Sequence, residues 1–226
     1  MRLFAISNIH GHYDAFLSLL KEVDYNPQND KLVILGDILD YGPKSYETIE
    51  LCMKLRSMGA MILRGDREQM YISAFTSVDE DVRNKYEEKI YKTNNNLFDF
   101  YLDYPEIRNR HMEFFKTLNP TYYYEDFIFT HAGMDIGNEA GSYNYSMYSN
   151  DFYMREDTKD KDKIYVFGHV PVVNMKGHSK SEPFVKDKML GIDFGGRISS
   201  GSLGLVQLLP ERNFFKVKAK VNYKME

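Results

Sequence analysis

Three short apolar runs, each closed by a polar tip and a turn, recur at one fixed interval. That regularity limits the fold more than any other feature of the chain. Leu3-Phe4-Ala5-Ile6 leads into Asn8-Ile9-His10-Gly11. Leu32-Val33-Ile34-Leu35 leads into Gly36-Asp37. Ala60-Met61-Ile62-Leu63 leads into Arg64-Gly65-Asp66. The tips Asn8, Asp37 and Asp66 are evenly spaced at 29 residues (8 to 37, 37 to 66), which suits one strand-helix-strand unit each. Between the runs, Tyr13, Phe16, Leu17, Leu20 and Val23 recur at helical spacing. Ser45 is predicted to cap a helix over Tyr46 to Met58, which Gly59 ends, with Ile49, Cys52, Met53 and Leu55 as its buried stripe. Parallel strands would carry all three tips to one sheet edge, where open α/β sheets bind ligands.

The stretch from Lys31 to Pro43 is the centre of this pattern. Asp37 sits just past a strand end on a glycine-flanked turn, with Asp40 beyond it and Gly42-Pro43 as a second turn. An aspartate there could simply cap the next helix. The flanking units favour a crevice-facing carboxylate instead. Further on, His131 follows Phe127-Ile128-Phe129-Thr130, and His169 follows Ile164-Tyr165-Val166-Phe167-Gly168. Two imidazoles and two carboxylates, all at strand ends, suit divalent transition metals such as Mn, Fe or Zn. A shared Asp37 could bridge two cations, an arrangement used in phosphate ester hydrolysis.

The remaining segments are predicted from texture. Residues 69–120 lose the strand-like alternation and read as a helical insertion forming a wall over the site. Glu125-Asp126 marks a hairpin turn. Residues 137–150, rich in Gly, Ser, Asn and Tyr, read as a mobile loop. The tail, with runs Met189 to Phe194, Leu203 to Leu209 and Phe214 to Val221, suggests a second, mostly antiparallel sheet. The 226 residues suit a single domain over 1–226. The net charge of −4 and the lack of a basic cluster argue against nucleic acid. Cys52 is alone and cannot form an internal disulfide, which suits a reducing compartment. The apolar start is interrupted too soon, at Asn8 and His10, for a signal sequence. No run is long enough to cross a membrane. A cytoplasmic protein is expected.

The order Asn8-x-His10-Gly11, Gly36-Asp37-x-x-Asp40, Gly65-Asp66-x-Glu68, His131-Ala132-Gly133 and Gly168-His169 resembles the calcineurin-like metallophosphoesterases. It is most similar to their bacterial phosphoprotein phosphatase branch, which includes symmetrical diadenosine tetraphosphatases. The resemblance implies a four-layer αββα sandwich of two mixed β-sheets, an α/β fold with a dimetal centre between the sheets. It assigns Asn8, His10 and Asp37 to a first metal, and Asp37, Asp66, His131 and His169 to a second. Arg155, in a Tyr-Met-Arg-Glu context, would grip the substrate phosphate. A metal-bound hydroxide would attack phosphorus, and the substrate would be a phosphate monoester or nucleotide polyphosphate. Partners would be a phosphorylated small molecule, a nucleotide or a phosphoprotein.

Four positions depart from that pattern. The family has Asp at the place of Asn8, Asn at Asp66, His at Arg67 and Arg at Tyr41. The first pair moves a carboxylate from the first metal to the second, so one of the two sites is expected to be weak. The second pair moves a guanidinium, so Arg67 and Tyr41 become candidate substrate-binding residues, and Asp40 and Arg67 candidate catalytic ones. The lost histidine matters most. Arginine cannot release a proton at neutral pH, Asp40 is expected to lack its imidazole partner, and His12 is the nearest replacement. Three readings follow: an active phosphoesterase with an altered site, an impaired pseudophosphatase that binds phosphate or protein, and a structural relic whose Asp66–Arg67 charges lock an empty site. The first is favoured because the ligand-type residues and Arg155 survive.

Overall fold

The computed structural model describes residues 1–93, 96–134, 142–156, 162–198 and 201–219. The three repeating units fold as β1 (Arg2–Ile6), α1 (Tyr13–Glu22), β2 (Asp30–Ile34), α2 (Ser45–Ser57) and β3 (Met61–Ile62). The strands are parallel, with Ala5 opposite Val33 and Val33 opposite Met61. Four helices follow: α3 (Asp66–Thr76), α4 (Glu80–Tyr91), α5 (Leu97–Asp103) and α6 (Pro105–Lys116). Next comes the hairpin β4 (Thr121–Tyr124) and β5 (Phe127–Thr130), turning at Glu125 with φ +49°. The chain continues through α7 (Ser142–Tyr148), β6 (Ile164–Phe167), the pair β7 (Phe184–Lys186) and β8 (Met189–Gly191), then β9 (Ser202–Leu209) and β10 (Asn213–Lys218). Two five-stranded sheets result, ordered β10-β9-β1-β2-β3 and β4-β5-β6-β8-β7, both of mixed direction.

The layers follow from the two-residue period of a strand. In β1, Phe4 and Ile6 face α1 and α2, where they meet Phe16, Leu19, Ile49 and Cys52. Leu3 and Ala5 face the other way and join Val33, Leu35, Phe127, Phe129, Val166 and Leu190 between the sheets. In the second sheet, Ile128, Tyr165, Phe167 and Met189 point outward onto Phe152, Val172 and Met175. Two sheets thus share an inner core and each buries a second face, as a four-layer αββα sandwich requires.

Four expectations change. Ser45 does not cap α2. Lys44 takes the cap position without a side-chain bond, and the Ser45 hydroxyl accepts the Asp40 N–H at 3.0 Å. Helices α3 to α6 do more than border the site, which α3 does through Asp66, Arg67 and the Tyr71 hydroxyl on Asp40. Met70, Tyr71, Phe98, Tyr101, Met112 and Phe115 join the core on the outer side of the first sheet, because their aromatic stripes need an apolar face to bury. Within 137–150, Ser142–Tyr148 is helical, while residues 137–141 lie outside the described residues. Finally, the tail is divided. β8 stays in the second sheet, but β9 and β10 return to the first and cover the free edge of β1. An uncovered edge would leave a row of backbone groups unpaired.

Candidate metal centre

The first sheet's loops are tied together before any side chain is considered. Asn8 N–H donates to Gly36 O (3.2 Å), His10 N–H to Asp37 O (2.9 Å) and Gly11 N–H to Ile38 O (2.9 Å). Gly36 and Gly65 pass so closely that a Cβ on Gly36 would lie 2.5 Å from the Gly65 nitrogen, and one on Gly65 would lie 2.3 Å from Asp37 Oδ1. That contact explains the glycine before each aspartate: only hydrogen at Cα lets the two tips meet. Asn8, His10, Asp37, Asp40, Tyr41 and His169 all have left-handed backbone, with φ between +50° and +72°. Such a conformation costs an L-residue roughly 1–2 kcal/mol, and its concentration here marks a site held by its surroundings.

Asp37, Asp66, His131 and His169 converge, with one ligand atom from each lying within 4.8 Å of all the others. His131 Nε2 lies 3.5 Å from Asp37 Oδ1, 3.4 Å from Asp66 Oδ1 and 3.2 Å from His169 Nδ1. His131 Nδ1–H donates to Leu35 O at 2.6 Å, which frees Nε2 to face the cluster. Burial works against a charged His131, but the adjacent Asp37 and Asp66 carboxylates raise its pKa to about 9. Burial, together with Asp66, pushes Asp37 well above the usual carboxylate range. Burial also disfavours the Asp66 carboxylate, but its bonds to His131 and His169 prevail and hold it well below that range. Two carboxylates and two imidazoles converging in a buried pocket form a donor set that fits a divalent cation.

A model of the calcineurin-like phosphoesterases matches residues 1–196. The chain belongs to this family. As a calcineurin-like phosphoesterase it is 33% identical over 97 residues to the symmetrical bis(5'-nucleosyl)-tetraphosphatase of Buchnera aphidicola subsp. Schizaphis graminum, covering 43% of this chain and 35% of that protein. It is 35% identical over 75 residues to serine/threonine-protein phosphatase 1 of Salmonella typhimurium, covering 33% of each. The matches thus span about a third of these relatives' lengths. Among solved structures it is similar to a metallophosphoesterase from Sphaerobacter thermophilus, with a TM-score of 0.60, 17% identity, and 97% and 90% of the two chains covered. It is also similar to the cold-active protein-tyrosine phosphatase of a Shewanella species, with a TM-score of 0.55, 17% identity, and 95% and 80% covered.

The other expected positions lie around this cluster in specific ways. Asn8 and His10 are buried beside Asp37, with Asn8 Nδ2 3.1 Å from Asp37 Oδ2 and 3.3 Å from His10 Nε2. Asp40 is not left without a partner. Its Oδ1 accepts from the Tyr71 hydroxyl (2.8 Å) and its Oδ2 from Arg67 Nη1 (3.4 Å). Arg67 also donates from Nη2 to Tyr41 Oη (2.5 Å) and lies over the Tyr41 ring at 4.8 Å. Its Nε is 3.9 Å from Asp66, a looser pairing. His12 points elsewhere than a general acid would: its Nε2 sits 2.7 Å from Gly196 O, an acceptor, so it donates there. Arg155 stacks on Tyr145 at 5.0 Å and donates from Nε to the Tyr145 hydroxyl at 3.1 Å, so α7 is the element that presents it.

Two residues of the site carry no role in the sequence reading: Glu68, quoted there only as part of its motif, and Arg197, which is not singled out. Glu68 is fully buried and accepts from the backbone N–H groups of Gly65 (2.7 Å), Asp37 (3.0 Å) and Ile38 (2.9 Å). It fastens the Asp37 turn to the start of α3. Burial raises its pKa, while those three donors pull it back. Arg197 hydrogen-bonds Tyr41, and after burial its charge is the largest influence depressing the pKa of His10. The signal existed: Met189 to Phe194 is an apolar run that ends in Gly195-Gly196-Arg197, another strand-end tip.

Proposed function

We propose that the chain is a metal-dependent hydrolase of phosphate esters or nucleotide polyphosphates, with an altered site. The observation that carries this reading is the convergence of Asp37, Asp66, His131 and His169 within 4.8 Å, next to the partly buried guanidinium of Arg67. A divalent cation bound there, Mn, Fe or Zn, would polarise a phosphoryl oxygen and acidify water. The chain's own residues do the rest. Asp37 and Asp66 supply the negative charge that recruits the cation, and the Leu35 carbonyl orients His131. Arg67, held by Asp40 and Tyr41, and Arg197, held by Tyr41, offer cationic groups to phosphate oxygens. Arg155 offers a third from the α7 side. None of these can give a proton to a leaving group. Suitable substrates are therefore those whose leaving group departs as a stable anion, such as aryl phosphates and nucleotide anhydrides. The names of the matched relatives, a dinucleoside tetraphosphatase and a protein phosphatase, frame the two substrate classes worth testing.

A second reading rests on Arg67, fixed between Asp40 and Tyr41 where an imidazole would be needed. It makes the chain an impaired pseudophosphatase that binds phosphate or a partner protein. General acid help is worth about a hundred- to ten-thousand-fold, so its loss separates the readings by rate. The test is hydrolysis of an aryl phosphate and of a dinucleoside polyphosphate with added Mn, alongside measurement of bound metal. Turnover that disappears in His169→Ala supports the hydrolase. Stoichiometric metal without turnover supports the second reading. Purified protein that takes up no divalent metal overturns both.

A further inference from the structure

Asn8 was expected to lend an oxygen to a first cation shared with His10 and Asp37. Its oxygen is already engaged. Asn8 Oδ1 accepts the backbone N–H of His169 at 2.9 Å and the hydroxyl of Ser7. A backbone N–H can only donate, so the atom facing it must be the amide oxygen, and the opposite atom is the nitrogen. That NH2 group lies 3.1 Å from Asp37 Oδ2 and 3.3 Å from His10 Nε2. The tautomer of His10 agrees: Nδ1 is 3.2 Å from the Leu39 carbonyl and donates to it, which leaves Nε2 as an acceptor. The His169 N–H fixes which way the amide faces. Asn8 is 1% exposed, and a Cβ on Gly168 would lie 2.7 Å from its oxygen. Turning over would set N–H against N–H at His169.

The two groups meant to hold the first ion are therefore bridged by hydrogen-bond donors on one nitrogen. An amide nitrogen is not a ligand for a divalent cation, and its hydrogens carry partial positive charge. We propose that the Asn8 amide stands in the first cation's place, and that the chain binds a single divalent cation through Asp37, Asp66, His131 and His169. An aspartate at position 8 would invert this. One of its oxygens would keep the His169 bond, and the other would face Asp37 and His10, where a second cation would be needed to separate the charges.

This inference rests on the metal-centre reading above, and the following experiment separates the two. Full-length protein is loaded with Mn, desalted, and its Mn content per chain measured by mass spectrometry. The electron paramagnetic resonance spectrum is recorded in parallel. The wild type is expected to hold one Mn with the hyperfine pattern of an isolated ion. Asn8→Asp is expected to hold two, with the broadened spectrum of a coupled pair. His10→Ala should keep the single ion and His131→Ala should lose it, a contrast that decides the matter if Asn8→Asp does not fold. Two ions in the wild type, one ion in folded Asn8→Asp, or loss of the ion from His10→Ala would overturn the inference and leave the metal centre standing. No ion in the wild type would overturn both.

Discussion

Glu68→Gln is the sharpest perturbation available, because it keeps shape and changes one atom. The carboxylate receives three buried backbone donors, Gly65 and Asp37 on Oε2 and Ile38 on Oε1. A glutamine can keep at most one of those positions as oxygen. With oxygen in the Oε2 place it retains two bonds, and its NH2 then opposes the Ile38 N–H. A hydrogen bond to a charged group contributes about 1.5–3 kcal/mol, and a buried donor left unsatisfied costs about 1–3 kcal/mol. These describe overlapping losses, and removing a buried charge returns part of them, so a net destabilisation of about 2–3 kcal/mol is expected. For a chain of this size that corresponds to a fall in Tm of roughly 4–12 °C. The bond lost, from the Ile38 N–H, is one of those that fasten the Asp37 turn, so Mn affinity should fall as well. Thermal unfolding followed by circular dichroism, with and without Mn, measures both. A Tm within about 1 °C of wild type, with unchanged stabilisation by Mn, would refute the claim that Glu68 organises the site.

Other outcomes follow from the same structure. Tyr71→Phe removes the hydroxyl bond to Asp40 Oδ1, and urea unfolding should show a loss of about 1.5–3 kcal/mol. Arg67→His places an imidazole beside Asp40; turnover of alkyl phosphates should rise relative to aryl phosphates, and an unchanged ratio of kcat/KM would count against the proton-donor argument. His111 is buried between the Tyr101 hydroxyl (2.6 Å) and Glu50 (2.7 Å), with Arg110 also on Glu50, and burial lowers its pKa. The unfolded chain then takes up a proton that the folded one resists, so stability falls as pH drops below about 6.5. His111→Gln should flatten that dependence in a Tm series from pH 8 to pH 5.

Much of this was legible in the sequence because strands and tips leave periodic marks. Asn8, Asp37 and Asp66 share one interval, and His131 and His169 share one context, so their meeting could be anticipated. What could not be read was orientation. Whether Asn8 offers oxygen or nitrogen to the pocket depends on the His169 N–H, far along the chain. Asp40 looked bereft because its partner Tyr71 lies on α3 with no spacing rule linking the two. Arg197 sat in a tail read for its strands and not for its turns. The sheet assignment of β9 failed for a related reason: alternation specifies a strand's faces, not which edge it pairs with.

β1 lies between β2 and β9, and Ala5 pairs with both Val33 and Val206. A ribosome therefore delivers one neighbour of this strand soon after it and the other some 170 residues later than the first (30 to 202). Any nascent chain halted before Ser202 already contains Asp37, Asp66, His131 and His169, yet exposes an open strand edge in its first sheet. Slow translation past that point should favour self-association over cation loading, and a chaperone that shields extended edges should shift the balance back.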